Sequence, residues 1–318
     1  MSRDNSQSLF AGVARGLALT TLTAGALGAG LAIGAFAEAH AYLLRHVEVP
    51  LLESGELRVL HISDLHAMPN QQRKFRFLAG LADLEPDLVI STGDNISHPD
   101  AIEPLLVALS PLLELPGAFV LGSNDKFAPV FRNPVSYLAG NSTPRPDPTR
   151  LPTARLVDAF TAGGWADLNN HRTRLQASGL DIELRGTDDA HHGFADYAAV
   201  AGPADPSVDL RLGVTHAPYQ WLLDAMHEDG VDMIFAGHTH GGQVCLPVNR
   251  ALITNCDLPR ELASGLSHWP SEQRLVGDAS DASGRTALHV SAGLGTSPFA
   301  PIRLFCRPEV SLLRLVAR

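Results

Sequence analysis

Three times between residues 57 and 125, a short apolar run ends in small and acidic residues and gives way to residues suited to a helix or tight turn. Leu57, Val59, Leu60 and Ile62 run into Ser63-Asp64-Leu65-His66, after which Phe75, Leu78, Ala79 and Ala82 recur at helical spacing. Leu88, Val89 and Ile90 run into Ser91-Thr92-Gly93-Asp94-Asn95, followed by the stripe Leu105, Leu106, Leu109 and Leu112. Ala118 to Leu121 run into Gly122-Ser123-Asn124-Asp125. This rhythm predicts an α/β fold with polar residues gathered at the carboxyl ends of its strands.

The rhythm continues toward the carboxyl terminus. Leu156, Val157 and Phe160 predict a helix stopping at Gly163-Gly164, and Leu180, Ile182 and Leu184 predict a strand. Leu210, Leu212 and Val214 form another, ending in Thr215-His216, with a helix through Trp221, Leu222, Ala225 and Met226 behind it. Val231 to Phe235 then lead into Gly237-His238-Thr239-His240-Gly241-Gly242. Leu288 and Val290, Ile302 and Leu304, and Leu312 to Leu315 read as closing strands. Between residues 141 and 153 four prolines predict an exposed loop.

Asp64, His66, Asp94, Asn124, His216, His238 and His240 thus each lie just past a predicted strand, where open α/β sheets collect their functional groups. Imidazoles mixed with hard oxygens, without thiolates, suit Mn, Fe or Zn. Seven ligands exceed the needs of one ion and predict two, a pairing suited to in-line displacement at phosphorus. The three cysteines, Cys245, Cys256 and Cys306, form no metal-binding spacing and read as free or buried thiols. A net charge of −10, with lysine only at positions 74 and 126, excludes nucleic acid as an expected partner.

Residues 1–15 form a polar tail, and residues 16–37 carry no charge, the length of a bilayer-crossing helix. Ala35-Phe36-Ala37 also has the small-x-small form of a signal-peptide cleavage site, so anchor and cleaved signal are both open, with the anchor the main expectation. The arginines at 3 and 15 orient the amino end inside and the main domain outside. Residues 38–56 read as a linker and 57–318 as one catalytic domain.

The ordered set of segments resembles the calcineurin-like metallophosphoesterases, whose pattern is DxH, GD, GNH(D/E), a lone His, and GHxH. Here these are Asp64-Leu65-His66, Gly93-Asp94, Gly122-Ser123-Asn124-Asp125, His216 and Gly237-His238-Thr239-His240. The bacterial branch with an amino-terminal membrane segment is especially similar, sharing GHTHGGQ, Gly293-Leu294-Gly295-Thr296-Ser297 and Pro301-Ile302-Arg303. The resemblance implies an αββα sandwich of two mixed sheets flanked by helices. It implies one divalent ion on Asp64, His66 and His240, a second on His216, His238 and an Asn, and Asp94 between them. The expected partners are a phosphorylated small molecule or lipid, and the membrane. The third segment departs from the pattern: Ser123 stands where the family has Asn, and Asn124 where it has the proton-donating His. Asn124 is expected to supply the amide, backed by Asp125, and hydrolysis is expected to favour acidic leaving groups. His98, a few residues beyond the Asp94 loop, is the candidate to replace the missing acid, with a surface histidine as the alternative, while His191-His192 reads as a polar turn, with substrate contact as its alternative. The expectation from another class is a non-catalytic, metal-stabilised binding protein at the membrane surface.

Overall fold

The computed structural model describes residues 28–131, 148–247, 250–270 and 284–318. One six-stranded sheet contains β1 (Leu43–Leu52), β2 (Glu56–Ile62), β3 (Leu88–Ser91), β4 (Gly117–Phe119), β5 (Ala166–Asp167) and β14 (Glu309–Ala317), in the order β1-β14-β2-β3-β4-β5. The other contains β6 (His171–Ala177), β7 (Leu180–Gly186), β8 (Leu210–Val214), β9 (Met233–Ala236), β12 (Gly265–Trp269) and β13 (Thr286–Val290), in the order β12-β13-β9-β8-β7-β6. β10 (Cys245–Leu246) and β11 (Arg250–Ala251) pair separately. Both large sheets are mixed: β2, β3 and β4 are parallel while β14 runs antiparallel to β2, and β7, β8, β9 and β13 are parallel between antiparallel edges.

Side-chain alternation along the strands builds three apolar layers. Leu88 and Ile90 of β3, Val59 of β2, and Met233 and Phe235 of β9 meet in the core between the sheets. The alternate residues Val89, Leu60 and Ile62 face α2 (Gln72–Ala79), α3 (Ile102–Leu113) and α5 (Thr153–Ala162). Ile234 and Ala236 of β9 face Leu222, Leu223 and Met226 of α6 (Gln220–Glu228). The αββα sandwich follows from strands whose two faces are both covered, which is why they read as continuous apolar runs.

Two local expectations change. Residues 43–52, read as part of a linker, form β1, which pairs along its length with β14 as an edge strand. Pro50 is tolerated there because an edge strand leaves donors unpaired and the register shifts between Pro50 and Leu52. Ile302 and Leu304, read as a strand, contribute only a single bridge between Leu304 and Val244. Ile302 is 40% exposed and Leu304 only half-buried, so neither joins the core.

α1, residues 28–38, precedes β1. Among the described residues no helix is long and apolar enough to cross a membrane. Residues 16–27 of the expected span and 141–147 of the proline-rich stretch lie outside the described residues.

Candidate metal centre

The strand ends of β2, β3, β8 and β9 converge, and the short turns leaving them carry strained backbone. Asp64, His66, Asp94, His238 and His240 have φ of 48°, 42°, 53°, 69° and 50°, a left-handed conformation that costs a non-glycine residue energy. Such strain persists only where surrounding contacts over-determine it, and here it aims side chains at one point. The glycines between them serve close approach. A Cβ on Gly122 would overlap the Asp94 carboxylate and the His216 ring, and one on Gly237 would overlap Ser63 and the Asp64 carboxylate.

Asp64, His66 and His240 present ligand atoms within 4.8 Å of one another, as do Asp64, Asp94 and His216. Nε2 of His66 and Nε2 of His240 face each other at 3.2 Å. Asp94 Oδ2 stands between the two groups, 3.5 Å from His66 Nε2 and 3.6 Å from His216 Nε2. The His238 ring packs against His216 with centroids 5.1 Å apart, and its Nε2 lies 3.2 Å from the Asn255 carbonyl. Five of the seven residues expected to hold metal fall in these two groups, with Asp64 in both; His238 and Asn124 are in neither and stand beside His216 and Asp94.

The third segment forms α4 (Ser123–Lys126), a single turn. Asn124 clamps Asp94 with two donors, its backbone N–H to Oδ1 at 2.8 Å and its amide Nδ2 to Oδ2 at 2.6 Å. The Ser123 hydroxyl makes no hydrogen bond among the described residues. Asp125 is fully buried and accepts from the N–H groups of Asn95, Ile96 and Gly122, tying the second motif loop to the third.

Supporting contacts fix the rings. His216 Nδ1 donates to the Thr92 carbonyl at 2.8 Å, which leaves Nε2 as the nitrogen with the lone pair. His66 Nδ1 meets Ser97 Oγ at 3.1 Å. Asp64 Oδ2 accepts from Ser63 Oγ, which accepts from Thr92 Oγ1, which in turn meets Nε2 of the buried His61. The wholly buried Arg303 donates to the carbonyls of His240, Ala292, Gly293 and Gly295, and its Nη2 lies 3.3 Å from His240 Nδ1. Because a single planar fork serves four carbonyls, Arg303→Met should leave them unpaired in the interior and cost about 3–5 kcal/mol. Urea unfolding of the full chain followed by circular dichroism measures this, and a loss below about 1 kcal/mol would show that the carbonyls find other partners.

The residues fit a divalent cation on two counts. His216 Nε2 is buried and, among the described residues, without a hydrogen-bond partner, although it is aimed at the Asp94 carboxylate. The electrostatics also lack a cation: burial pushes Asp94 up to about 6, with the Asp64 charge adding to the rise. Burial alone would lower His216, but the carboxylates of Asp94, Asp64 and Asp189 raise it to about 9. Burial, with the charge of His216 next in weight, lowers His238 to about 3, so two adjacent rings are pulled in opposite directions. A positive ion among these donors would favour charged carboxylates and neutral imidazoles together.

Two histidines weighed in the sequence have different places. His98 caps the turn at Pro99–Ala101, accepting from the Asp100 N–H at 3.1 Å, with its side chain 41% exposed. His191 belongs to a polar turn, as expected, yet its ring lies against His238 with centroids 4.6 Å apart and its Nδ1 is 2.9 Å from the Tyr219 hydroxyl. Lys126 of α4 pairs with Asp188, tying that turn to the Asn124 loop. Sequence reasoning missed the site roles of Arg303 and Asn255, and gave His191 a place at the site only as the alternative to a polar turn. Arg303 had a signal in Pro301-Ile302-Arg303, whereas a carbonyl such as that of Asn255 carries none.

Strand-end carboxylates and imidazoles between two face-to-face mixed sheets define a metal-dependent phosphoester hydrolase. The chain belongs to the calcineurin-like phosphoesterase family, whose model matches residues 57–242. It is 24% identical over 260 residues to the uncharacterized metallophosphoesterase YkuE of Bacillus subtilis, covering 80% of this chain and 76% of that one. It is 24% identical over 273 residues to the phosphodiesterase YaeI of Escherichia coli, covering 83% of each. To the UDP-2,3-diacylglucosamine pyrophosphatase LpxG of Chlamydia trachomatis it is 26% identical over 301 residues, covering 81% of this chain and 83% of that protein.

Proposed function

We propose that the chain uses two divalent ions, drawn from Mn, Fe or Zn, to hydrolyse a phosphodiester or phosphoanhydride of the cell envelope, while anchored through residues 16–37 with its catalytic domain outside the cytoplasm. Asp64, His66 and His240 hold one ion; His216, His238 and Asn124 hold the other, and Asp94 serves both. The observation that carries the reading is the position of Asp94 Oδ2, nearly equidistant from His66 Nε2 and His216 Nε2. Bound ions of this kind supply the Lewis acidity that activates water and stabilises charge at phosphorus.

The chain's own residues do the rest. Thr92 and Ser97 fix the rings of His216 and His66, so their Nε2 atoms need no reorientation when a ligand arrives. Asn124 holds the Asp94 carboxylate in place, and Asp125 holds the Asn124 turn. No histidine stands beside Asn124 in the sequence, so departure of the leaving group relies on its own acidity. That favours phosphoanhydrides and aryl esters over alkyl diesters. Among the relatives, YaeI is a phosphodiesterase and LpxG a UDP-2,3-diacylglucosamine pyrophosphatase, and a pyrophosphatase cleaves an anhydride.

The test is turnover of bis-p-nitrophenyl phosphate by the full chain after chelator treatment and readdition of single metals, with bound metal counted. Two equivalents of metal and metal-dependent turnover are expected. Metal uptake without turnover on aryl diesters or pyrophosphates would favour the binding-protein reading.

A further inference from the structure

α1 has no polar face. Over residues 28–38 its sequence is GAGLAIGAFAE, and only Ala35 is buried, while Leu31, Ile33 and Phe36 are 57%, 71% and 53% exposed. A helix that is apolar all round requires an apolar partner on more than one side. Beside it runs the segment 299–306, with Phe299, Ile302 and Phe305 exposed by 48%, 40% and 46%. The two are fastened together. The Arg303 N–H donates to the Ala35 carbonyl at 2.9 Å, and the Glu38 carboxylate accepts from the N–H groups of Phe305 and Cys306 at 3.1 and 2.6 Å. Glu38, the one charge of the helix, is thereby engaged by the domain.

The same segment faces inward as well. Arg303, flanked by Ile302 and Leu304, is wholly buried and donates to the His240 carbonyl. One loop therefore presents apolar side chains outward and braces the candidate metal centre inward. Three exposed large apolar side chains on α1 and three on the segment fastened to its carboxyl end mark an interaction site. The occupant follows from continuity: α1 extends the uncharged stretch that begins at Gly16, and a groove on a protein partner would cover one helix face rather than all of it. Arg307, exposed and hydrogen-bonded to the carbonyls of Ala41 and Tyr42, adds a cation at the border of this surface, suited to anionic headgroups.

We propose that α1 and the 299–305 loop seat together in the surface of a lipid bilayer, so that the metal centre opens at the membrane and takes a phosphate ester borne by a lipid of that same bilayer. The substrate half of this rests on the hydrolase reading above; the seat does not.

The experiment uses the full chain in vesicles of phosphatidylcholine with phosphatidylglycerol. Phe305→Trp should be quenched by brominated phosphatidylcholine, well beyond the quenching of the native tryptophans, two of which, Trp165 and Trp269, are buried. The double variant Phe299→Ser/Ile302→Ser should turn over soluble bis-p-nitrophenyl phosphate as the parent does. Its turnover of a diacylglycerol p-nitrophenyl phosphate in the vesicles should fall about tenfold. Equal quenching of the Trp variant and the parent on vesicles, or a chain that does not stay with vesicles, would overturn the seat. An unchanged ratio of the two activities would overturn the substrate assignment. Self-association in detergent that the double variant abolishes would give the surface to a second copy and overturn the proposal. Quenching without turnover of either probe would support the seat while removing the hydrolase reading beneath the substrate half.

Discussion

Asp94→Asn is expected to lower metal occupancy and reduce turnover by several orders of magnitude. The carboxylate is 3% exposed and its Oδ2 stands 3.5 Å from His66 Nε2 and 3.6 Å from His216 Nε2, so one oxygen faces both candidate ligand groups. Replacing it by an amide removes the negative charge between two cation sites, where water cannot screen what remains. The amide would place its NH₂ either at the Oδ2 position, against Asn124 Nδ2 and toward both imidazoles, or at the Oδ1 position, against the Asn124 N–H. The first arrangement puts a donor where a cation would bind, and the second leaves two donors facing each other. Metal analysis of the purified variant, with turnover of an aryl phosphodiester over a range of metal concentrations, measures the effect. If occupancy and rate stayed near those of the parent, Asp94 would not serve two ions. Loss of one equivalent of metal with the rate retained would point to a single-ion reaction. The fold should survive, because Asp125 independently ties the Asn95 loop to the Gly122 turn.

What the sequence made legible follows from burial. β2, β3, β8 and β9 are covered on both faces, so their apolar runs stand out and their polar ends announce the site. β1 and β6 are edge strands with half-exposed, charged residues, such as Arg45, Glu48, Arg172 and Arg174, and carry no such run. The stretch around Ile302 misleads in the opposite sense, since its apolar side chains are on the surface. At the candidate site, the expected ligand residues were legible because each lies just past a strand. Their supports were not: Arg303 meets His240 across 63 positions, and Ser97 meets His66 across 31. The buried pair His61 and His289, with Nδ1 atoms 2.8 Å apart across 228 positions, is silent in a sequence reading because each sits within an apolar strand. His191 was read as a polar turn, which it is; only the packing of that turn against α6 and His238 brings it to the site.

The alanine variants at 123 and 124 are expected to differ sharply. In the family pattern the amide precedes the imidazole, whereas this chain has a hydroxyl and then the amide. The single turn of α4 compensates, because its backbone brings Asn124 rather than Ser123 against Asp94, with a 2.8 Å bond from the N–H and a 2.6 Å bond from the amide. Asn124→Ala removes the amide donor that fixes Asp94 and, on the proposed assignment, a neutral hard oxygen ligand, so it should nearly abolish turnover and selectively empty the ion assigned to His216 and His238. Ser123→Ala removes a half-exposed hydroxyl without a hydrogen bond among the described residues, so it should leave the rate within a few-fold of the parent. Without an imidazole at either position, parent rates should fall steeply as leaving-group pKa rises across a series of aryl phosphodiesters. Restoring the family order with Ser123→Asn/Asn124→His should flatten that slope, since a positioned acid contributes about 10²–10⁴ for poor leaving groups. A parent slope already shallow would place a proton donor elsewhere at the site, and equal losses in the two alanine variants would break the assignment of Asn124 to the metal.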